Sequence, residues 1–274
     1  MSNYTCAPTP ESRLAPTSAT SAHFVELSVV VPVHDEQDNI APLVREIVSA
    51  LLGVVPFEIV YVDDGSRDGT ADALRRAQDA TPMLRVVRHD RSVGQSTAIH
   101  SGVLAAHGRW IATLDGDGQN DPADVPALLT RACALAAQRG DERVLIAGWR
   151  TRRRDSSYTR WQSSIANAVR SRLLSDGTPD TGCGLKVYAR STFLALPYFD
   201  HMHRFMPALV RREGGAVQSV PVNHRARLRG QSHYGMMNRL WTGVVDMLGV
   251  MWLTHRSRVP RVTEQPAVTT VGAR

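Results

Sequence analysis

Two kinds of apolar pattern alternate along the chain between residues 25 and 147. Short β-branched runs, as in residues 25–33 (VELSVVVPV) and 57–62 (FEIVYV), are typical of strands that are buried on both faces. Between these two runs, apolar residues recur at the 3.6-residue spacing of a helix that Asp38 is predicted to cap and Gly53 to end. The same reasoning predicts helices at residues 70–80 and 96–106 and from Asp121 onward, and strands at residues 84–88, 110–114 and 144–147.

This regular alternation predicts an α/β domain built on a doubly wound, mostly parallel sheet with helices on both faces. We place the domain at residues 24–235. In such sheets, ligands bind beyond the carboxyl ends of the strands. The pattern therefore directs the search for a functional site to the residues that follow each predicted strand.

The segments outside this domain have a different composition. Residues 1–23 are rich in Ser, Thr, Ala and Pro and lack the basic start and apolar stretch of a signal peptide. They are predicted to form a disordered tail, as are residues 259–274.

The segment 236–258 is apolar but is interrupted by Arg239 and Asp246, which predicts an amphipathic helix rather than a membrane span. Two roles for this helix are open. It lies in a membrane interface with Trp241 and Trp252 at the headgroups, or it packs on the domain or on a second subunit.

Three clusters of candidate residues lie at the carboxyl ends of predicted strands. They are Pro32, His34, Asp35 and Glu36 at the end of the first strand, Asp63 and Asp64 at the end of the second, and Asp115, Asp117 and Gln119 at the end of the strand at 110–114. Two carboxylates one residue apart, each followed by a glycine, suit a hard divalent cation that keeps positions open for a diphosphate. Asp-Gly pairs are also common in turns, so it is the recurrence of the clusters at successive strand ends that favours a site. His201 and His203 have the spacing of two metal ligands on a strand face, but the lack of a third ligand nearby disfavours this reading.

Composition and charge narrow the classes of function. A hydrophobic fraction of 43% and a charged fraction of 21% are ordinary for a globular chain and exclude disorder throughout. Three widely spaced cysteines argue against a disulfide framework and favour a reducing, cytosolic compartment. The net charge of +6 is unevenly spread, because residues 24–130 hold 16 acidic and 8 basic residues whereas residues 204–239 hold 1 and 7. Such a basic half suits nucleic acid, a phosphate-rich substrate or an anionic membrane surface.

Five segments resemble, in order, the motifs of one enzyme family. LSVVVPVHDEQDNI is similar to an opening strand and P-x-x-N-E turn, with Asp35 where Asn is usual, and EIVYVDDGSRDGT is similar to a nucleotide-binding segment. LDGDGQNDP resembles a D-x-D-x-Q metal segment, DTGCGLKVYAR an acceptor-side D-x-x-x-G-(F/L)-(R/K) element, and HRARLRGQSHYG an R-x-x-G-x-S-x-(Y/L) element. On these residues the chain resembles the family 2 glycosyltransferases of dolichol-phosphate mannosyltransferase type, which have the Rossmann-like GT-A fold.

The resemblance implies a role for each matching residue. Pro32, His34 and Glu36 are expected to border the nucleotide, Asp63 and Asp64 to hold its base and ribose, and Asp115 and Arg225 to contact the nucleotide sugar. Asp115, Asp117 and Gln119 are expected to hold Mg²⁺ or Mn²⁺ against the diphosphate. Arg150 and Arg229 are expected to contact donor or acceptor phosphates, since a guanidinium fork suits phosphate oxygens, and they form the expected catalytic set with Asp117. For Arg152, Arg153 and Arg154, a solvated basic loop explains the sequence as well as a contact with substrate phosphates does.

The resemblance also implies a reaction, the inverting transfer of a hexose from a nucleotide-diphosphate sugar (GDP-mannose or a UDP-sugar) to a polyprenyl phosphate. A lipid phosphate is already anionic at neutral pH and needs no general base. Family members that act on hydroxyl acceptors often carry a Glu-Asp pair after the metal motif, and this chain has no Glu-Asp dipeptide. The expected location is cytoplasmic, in peripheral contact with the inner face of the cytoplasmic membrane.

Three alternatives stand beside this reading. In the first, the chain is a family 2 transferase that acts on a saccharide hydroxyl. In the second, it is a nucleotide-sugar-binding protein without turnover. A nucleic-acid-binding module is the third, and the acidic strand ends disfavour it because a nucleic-acid groove needs positive charge there.

Overall fold

A computed structural model of the chain describes residues 24–150, 173–174, 177–226 and 236–257, and the side chains of all of these except 236–242. The strands are β1 (Leu27–Val33), β2 (Phe57–Asp63), β3 (Leu84–Arg88), β4 (Trp110–Thr113), β5 (Val144–Arg150), β6 (Lys186–Ala189) and β7 (Ala216–Val222). The helices are α1 (Gln37–Leu51), α2 (Thr70–Ala80), α3 (Gln95–Ala105), α4 (Val125–Arg139), α5 (Arg190–Ala195), α6 (Met206–Arg212) and α7 (Met236–His255), with short 3-10 turns at Pro122–Asp124 and Met202–Arg204. The predictions for the two tails, for Arg152, Arg153, Arg154 and Arg229, and for the side chain of Trp241 lie outside the described residues.

The seven strands form one sheet in the order β3-β2-β1-β4-β6-β5-β7. β1, β2, β3 and β4 pair in parallel, as do β5 and β7. Only β6 runs antiparallel to its neighbours, so its first residue, Lys186, pairs with Thr113 at the carboxyl end of β4 and with Ala147 of β5. The predicted doubly wound, mostly parallel sheet is confirmed, and the antiparallel β6 brings its own amino end to the edge where the parallel strands end.

Each face of the sheet has its own hydrophobic core. Val29 and Val31 of β1 point into one core, which α1, α2 and α4 cover, and Val30 points into the other, which α3, α5 and α6 cover together with part of α7. A strand buried on both faces needs apolar residues at every position, which explains the uninterrupted β-branched run. In α1 the predicted apolar positions, Ile40, Leu43, Val44, Ile47 and Leu51, are all buried.

Several element boundaries differ from the prediction. The N-cap of α1 is Glu36, and Asp38 lies in the first turn of the helix. The residues after Asp121 form a 3-10 turn before α4 begins, and Asp121 caps that turn by accepting a hydrogen bond from the Ala123 N–H. His201 and His203 lie in and beside the 3-10 turn Met202–Arg204, so the idea of two ligands on a strand face is wrong. Among the helices of the described residues, none combines the length and apolar character that a membrane span requires.

Candidate active site

The turn after β1 is held in an unusual backbone conformation by the turn after β2. Asp35 has a φ of 54°, in the left-handed region that Asn and Asp tolerate better than other non-glycine residues. Its Oδ1 accepts a hydrogen bond from the Arg67 N–H at 2.8 Å, and its own N–H donates to the Ser66 hydroxyl at 3.0 Å. Asn offers the same conformational tolerance and the same kind of acceptor oxygen, so these contacts of Asp35 do not require a charged side chain.

The other predicted residues of this turn have distinct positions. Pro32 is buried within β1, opposite Val62 of β2. His34 places its Nδ1 2.8 Å from the Asp64 carbonyl oxygen. Glu36 donates its N–H to the Thr70 hydroxyl at 2.9 Å, which joins the start of α1 to the start of α2.

The two aspartates at the carboxyl end of β2, Asp63 and Asp64, are buried and bind other loops. Asp64 accepts hydrogen bonds from the N–H groups of Val93 (3.0 Å) and Gly94 (2.9 Å) and from the Ser92 hydroxyl (2.9 Å), and it pairs with His89 at 2.8 Å. Burial acts to raise the pKa of Asp64, but the hydrogen bonds from His89, Val93, Gly94 and Ser92 outweigh it and lower the pKa. Its carboxylate therefore organises the loop at residues 89–94.

Asp63 has a different set of partners. Its Oδ1 accepts a hydrogen bond from the Ser66 N–H at 2.9 Å, and its Oδ2 lies 3.3 Å from the Arg88 Nε. Gly65, which follows the two aspartates, has a φ of 67°, and a Cβ on it would lie 2.4 Å from the Arg91 backbone. The glycine of the DDGS segment is thus required both by its conformation and by the close approach of the neighbouring loop.

A cavity of about 300 Å³ opens between these loops at the carboxyl edge of the sheet. Its walls carry charged and hydroxyl side chains together with backbone groups. The lining residues are His34, Asp35, Gly65, Ser66, Arg67, Arg88, Asp90, Arg91 and Ser92. The cavity brings together the turns after β1, β2 and β3, so two of the three predicted clusters meet at one place.

The third cluster follows β4. Asp115 is half-buried and accepts a hydrogen bond from the Gln95 Nε2 at 2.8 Å. Burial and the neighbouring Asp117 carboxylate raise the pKa of Asp115 to about 6, against the opposing charges of Lys186 and Arg150. Gln119 donates its N–H to the Asp117 Oδ1 at 3.0 Å, so the predicted trio lies together in one turn. In the described part of the chain, no group of three or more His, Cys, Asp or Glu side chains is arranged to hold a metal ion.

The segment before β6 packs directly against Asp115. A Cβ on Gly184 would lie within 2.3 Å of the Asp115 carboxylate, so only glycine fits there without displacing Asp115. Lys186 is 3% exposed, and its ammonium donates to the Cys183 carbonyl oxygen. Burial lowers the pKa of Lys186, while the charge of Asp115 opposes that effect. Sequence reasoning placed Lys186 at the (R/K) position of the acceptor-side element but gave it no role, although it is the only lysine in a chain with 32 Lys and Arg residues.

Arg150, at the end of β5, forms a fork on a residue of the same segment. Its Nε and Nη2 lie 2.6 and 2.8 Å from the two carboxylate oxygens of Asp180. This bidentate pair fixes the guanidinium beside the third cluster, since Asp115 and Arg150 influence each other electrostatically. The predicted phosphate contact of Arg150 stays a prediction, and its observed partner is Asp180.

Arg225 also has carboxylate partners within the chain. Its Nη1 lies 2.6 Å from the Glu46 Oε2, and its Nη2 lies 2.8 Å from the Asp121 Oδ1. Its backbone N–H donates to the Gln119 carbonyl oxygen at 2.9 Å. Arg225 therefore lies beside the third cluster, and its expected contact with the nucleotide sugar stays a prediction.

The family model described as glycosyl transferase family 2 matches residues 28–196. The chain belongs to glycosyltransferase family 2. It is 36% identical over 244 residues to the dodecaprenyl-phosphate galacturonate synthase of Rhizobium johnstonii, an alignment that covers 86% of this chain and 69% of the relative. It is 34% identical over 231 residues to the undecaprenyl-phosphate 4-deoxy-4-formamido-L-arabinose transferase of Pseudomonas aeruginosa, which covers 83% of this chain and 66% of the relative. The chain thus spans about two thirds of the length of these relatives.

Solved structures of other glycosyltransferases share the fold. Glucosyl-3-phosphoglycerate synthase from Mycobacterium tuberculosis, in complex with Mg²⁺ and UDP, superposes with a TM-score of 0.60 at 17% identity and covers 86% of this chain and 81% of its own. A mannosyltransferase from Pyrobaculum calidifontis, in complex with GDP-mannose and Mn²⁺, superposes with a TM-score of 0.60 at 18% identity and covers 87% and 67%. The GT-A fold predicted for this family 2 member is confirmed.

Proposed function

We propose that this family 2 glycosyltransferase moves a sugar from a nucleotide-diphosphate sugar to a polyprenyl phosphate. The observation that carries the proposal is the acceptor shared by its relatives. The two relatives are named for different sugars, galacturonate in one and 4-deoxy-4-formamido-L-arabinose in the other. Both are named for a polyprenyl phosphate. Both alignments extend over more than four fifths of this chain. The polyprenyl phosphate is therefore the part of the relatives' function that supports an assignment to this chain most strongly, and the sugar is the part that supports one least.

The third cluster suits a divalent cation. Mg²⁺ is usually held by one or two carboxylates together with substrate phosphates rather than by a complete protein cage. Asp115 and Asp117 provide two such carboxylates, and Gln119 adds a side-chain amide whose Nε2 donates to the Arg225 carbonyl oxygen at 3.4 Å. Asp115 is half-buried next to a like charge, an arrangement that a cation relieves. We assign Asp115, Asp117 and Gln119 to Mg²⁺ or Mn²⁺, which when bound would neutralise charge on the departing diphosphate.

The chain's own residues prepare the rest of the site. The cavity beside His34 and Asp63 is assigned to the nucleoside, with Arg67, Arg88 and Arg91 supplying positive charge at its walls. Gln95, Gly184 and Lys186 fix the orientation of Asp115. Arg150 is anchored on Asp180 through its Nε and Nη2. We assign the N–H groups that Asp180 does not engage to a phosphate of the substrates. The acceptor phosphate attacks as an anion, so the site needs no general base.

Contact with a membrane surface is the second part of the proposal, because a polyprenyl acceptor resides in a bilayer. One face of α7 packs on the domain through Val250, which is 1% exposed, and through Met247 and Met251. The opposite face exposes Val245 (51%), Leu248 (58%) and Trp252 (61%), at the spacing of a single helix face. Exposed apolar side chains on an amphipathic helix suit peripheral binding at the bilayer interface. Both roles that the sequence left open for this helix thus have support, one on each face.

A direct assay tests the reaction. The full-length protein is incubated with Mn²⁺, a panel of UDP- and GDP-sugars, and either vesicles containing undecaprenyl phosphate or soluble saccharides, and products are identified by mass spectrometry. We expect a glycosyl-lipid phosphate only with the lipid acceptor, and none with the Asp117→Asn variant. Transfer to saccharides at rates that added polyprenyl phosphate does not change would overturn the proposal in favour of a hydroxyl acceptor.

A further inference from the structure

Residues 223–225 bind along the acidic loop that follows β4. Asn120 and His224 form an isolated antiparallel bridge, and beside it the Arg225 N–H donates to the Gln119 carbonyl oxygen at 2.9 Å. The Asn223 N–H and its side-chain amide donate to the Asp124 carboxylate at 2.7 and 3.2 Å. The first two residues of the HRARLRGQSHYG element, His224 and Arg225, therefore contact the loop that carries Asp115 and Asp117.

The Arg225 guanidinium joins three separate parts of the fold at this junction. One nitrogen pairs with Glu46 of α1 at 2.6 Å, and a second pairs with Asp121 at the end of the acidic loop at 2.8 Å. Both are charge-assisted contacts with good geometry. Both terminal nitrogens of the guanidinium, Nη1 and Nη2, thus pair with carboxylates of the chain itself. Arg225 therefore has fewer N–H donors left for a phosphate.

The acidic loop needs such a fixed point. It contains Gly116 and Gly118, and Gly118 has a φ of 72° with no atom within 4 Å of the Cβ position. Within the loop, the Asn120 side chain accepts from the Asp115 N–H at 3.0 Å, and Gln119 donates to Asp117. These bonds set the shape of the loop, its far end continues through the buried Pro122 into α4, and the groups around Arg225 add contacts to α1 and to residues 223–225.

We propose that Arg225 is a positioning residue rather than a ligand of the nucleotide sugar. By holding residues 223–225 on the acidic loop, it fixes Gln119 and Asn120 and, through their hydrogen bonds, the positions of Asp117 and Asp115. This inference rests on the proposed function, because it assigns the junction to the alignment of the two carboxylates that the proposal gives to the cation.

The proposal makes Glu46 and Arg225 a functional pair. Glu46 lies on α1 and pairs with Arg225, so its role in the reaction is expected to run entirely through that arginine. If Arg225 instead contacted the nucleotide sugar, removing the Glu46 charge would leave donor binding unchanged. A double-mutant cycle separates the two cases. If the two residues act as one unit, removing both costs no more activity than removing one, so the effects of the single variants do not add.

The experiment compares Arg225→Gln, Glu46→Gln, the double variant and Arg225→Lys in the full-length protein. Arg143→Gln is the matched control, because Arg143 also pairs with an exposed carboxylate, Asp141, but lies just before β5 at the opposite edge of the sheet. We expect Arg225→Gln and Glu46→Gln each to lower kcat/KM for polyprenyl phosphate by roughly tenfold, and the double variant to be no worse than Arg225→Gln. Affinity for the free nucleoside diphosphate is expected to change by less than about twofold. Arg225→Lys is expected to recover part of the loss, since an ammonium keeps one of the two contacts.

Hydrogen exchange of residues 115–124 supplies a readout that does not depend on which acceptor the enzyme uses. We expect faster exchange in Arg225→Gln and in Glu46→Gln and no change in Arg143→Gln. Unchanged exchange in both junction variants would overturn the positioning role, even if the enzyme proved to use another acceptor. A large loss of nucleotide affinity in Arg225→Gln, with Glu46→Gln silent, would assign Arg225 to the donor instead.

Discussion

At the scale of single residues, the space and charge around each position explain the unusual choices at the site. Asp35 occupies a left-handed conformation that few residue types accept, and Gly184 leaves room for a carboxylate that any side chain would displace. Lys186 is buried where its ammonium lies near the charges of Asp115 and Asp180. Each of these residues supports the position of another, and the chemistry is assigned to Asp115 and Asp117, which they surround.

The first residue prediction concerns Asp117. Asp117→Asn removes one of the two carboxylates assigned to the cation, so turnover should fall about a hundredfold or more through lost stabilisation of the departing diphosphate. The melting temperature should change little. Asp79→Asn, an exposed position on α2, is the control and should keep full activity. Wild-type-like turnover of Asp117→Asn at limiting Mn²⁺ would show that the cation is held elsewhere.

The second residue prediction concerns Asp64 and pH. Asp64→Asn places an amide where four groups of the chain donate to or pair with a carboxylate, so unfolding should become easier by about 2–3 kcal/mol near neutral pH. The folded-state pKa of Asp64 is lowered, so its stabilisation is present above the unfolded pKa of about 3.9 and is lost as pH falls through the folded value. The difference between wild type and variant should therefore shrink below about pH 4, as urea unfolding across pH would measure.

The same variant tests the predicted role of Asp64 in nucleotide binding. Affinity for a free nucleoside diphosphate should fall even without metal, because the loop at residues 89–94 supplies Asp90, Arg91 and Ser92 to the cavity wall. Calorimetry in EDTA measures this. An unchanged affinity would separate Asp64 from the nucleotide site altogether.

At the scale of secondary-structure elements, local pattern and long-range contact set different limits on prediction. Strands and helices between residues 27 and 150 match the predicted ones closely, because the strands are short apolar runs and α1 and α2 have apolar positions at helical spacing. β6 has only four residues and begins with a buried lysine, so its sequence does not resemble a buried strand. The motifs located the strand-end carboxylates, but the contacts of Gly184, Lys186 and Asp180 depend on the antiparallel entry of β6, which no local signal reports.

The element prediction tests this entry at Gly184. Gly184→Ala should press a methyl group into the Asp115 carboxylate and cost about 1–3 kcal/mol of stability, as overpacking does. The Mn²⁺ concentration for half-maximal activity should rise roughly tenfold, because Asp115 must turn away from Asp117. Gly243→Ala in α7 is the matched control, since no atom lies within 4 Å of its Cβ position and alanine favours a helix. Equal Mn²⁺ dependence in both variants would contradict the idea that this segment positions Asp115.

At the scale of the whole molecule, ligand binding should be visible as global stabilisation. A ligand that binds only the folded state adds about 2.7 kcal/mol at a hundred times its dissociation constant, which raises the melting temperature by roughly 5–10 °C for a domain of this size. UDP and GDP, each with Mn²⁺ or with EDTA, are compared by thermal shift. We expect one nucleotide to stabilise the protein more than the other, and EDTA to weaken that effect. Stabilisation that is the same with Mn²⁺ and EDTA would argue against a metal-bridged diphosphate.

Binding to a bilayer is the other whole-molecule property, and α7 allows it to be tested without disturbing the fold. Truncation of this helix would remove the buried Val250 and the hydrogen bond from the Arg212 Nε to the Leu253 carbonyl oxygen, so loss of binding would be ambiguous. The double variant Leu248→Glu and Trp252→Glu changes only side chains that are more than half exposed. It should stay folded and bind nucleotide normally.

Wild-type protein should sediment with anionic vesicles more than with zwitterionic ones, and less as salt rises, because apolar insertion and the basic carboxyl-terminal half act together. The Leu248→Glu and Trp252→Glu variant should lose this binding, because the two new carboxylates oppose both the apolar insertion and the attraction to anionic headgroups. Leu52→Glu with Val54→Glu makes the matched control, because these side chains are equally exposed but lie between α1 and β2, at the edge of the sheet away from the site. Loss of a dimer in the α7 variant, with no vesicle binding by the wild type, would instead assign this face to a second copy of the chain.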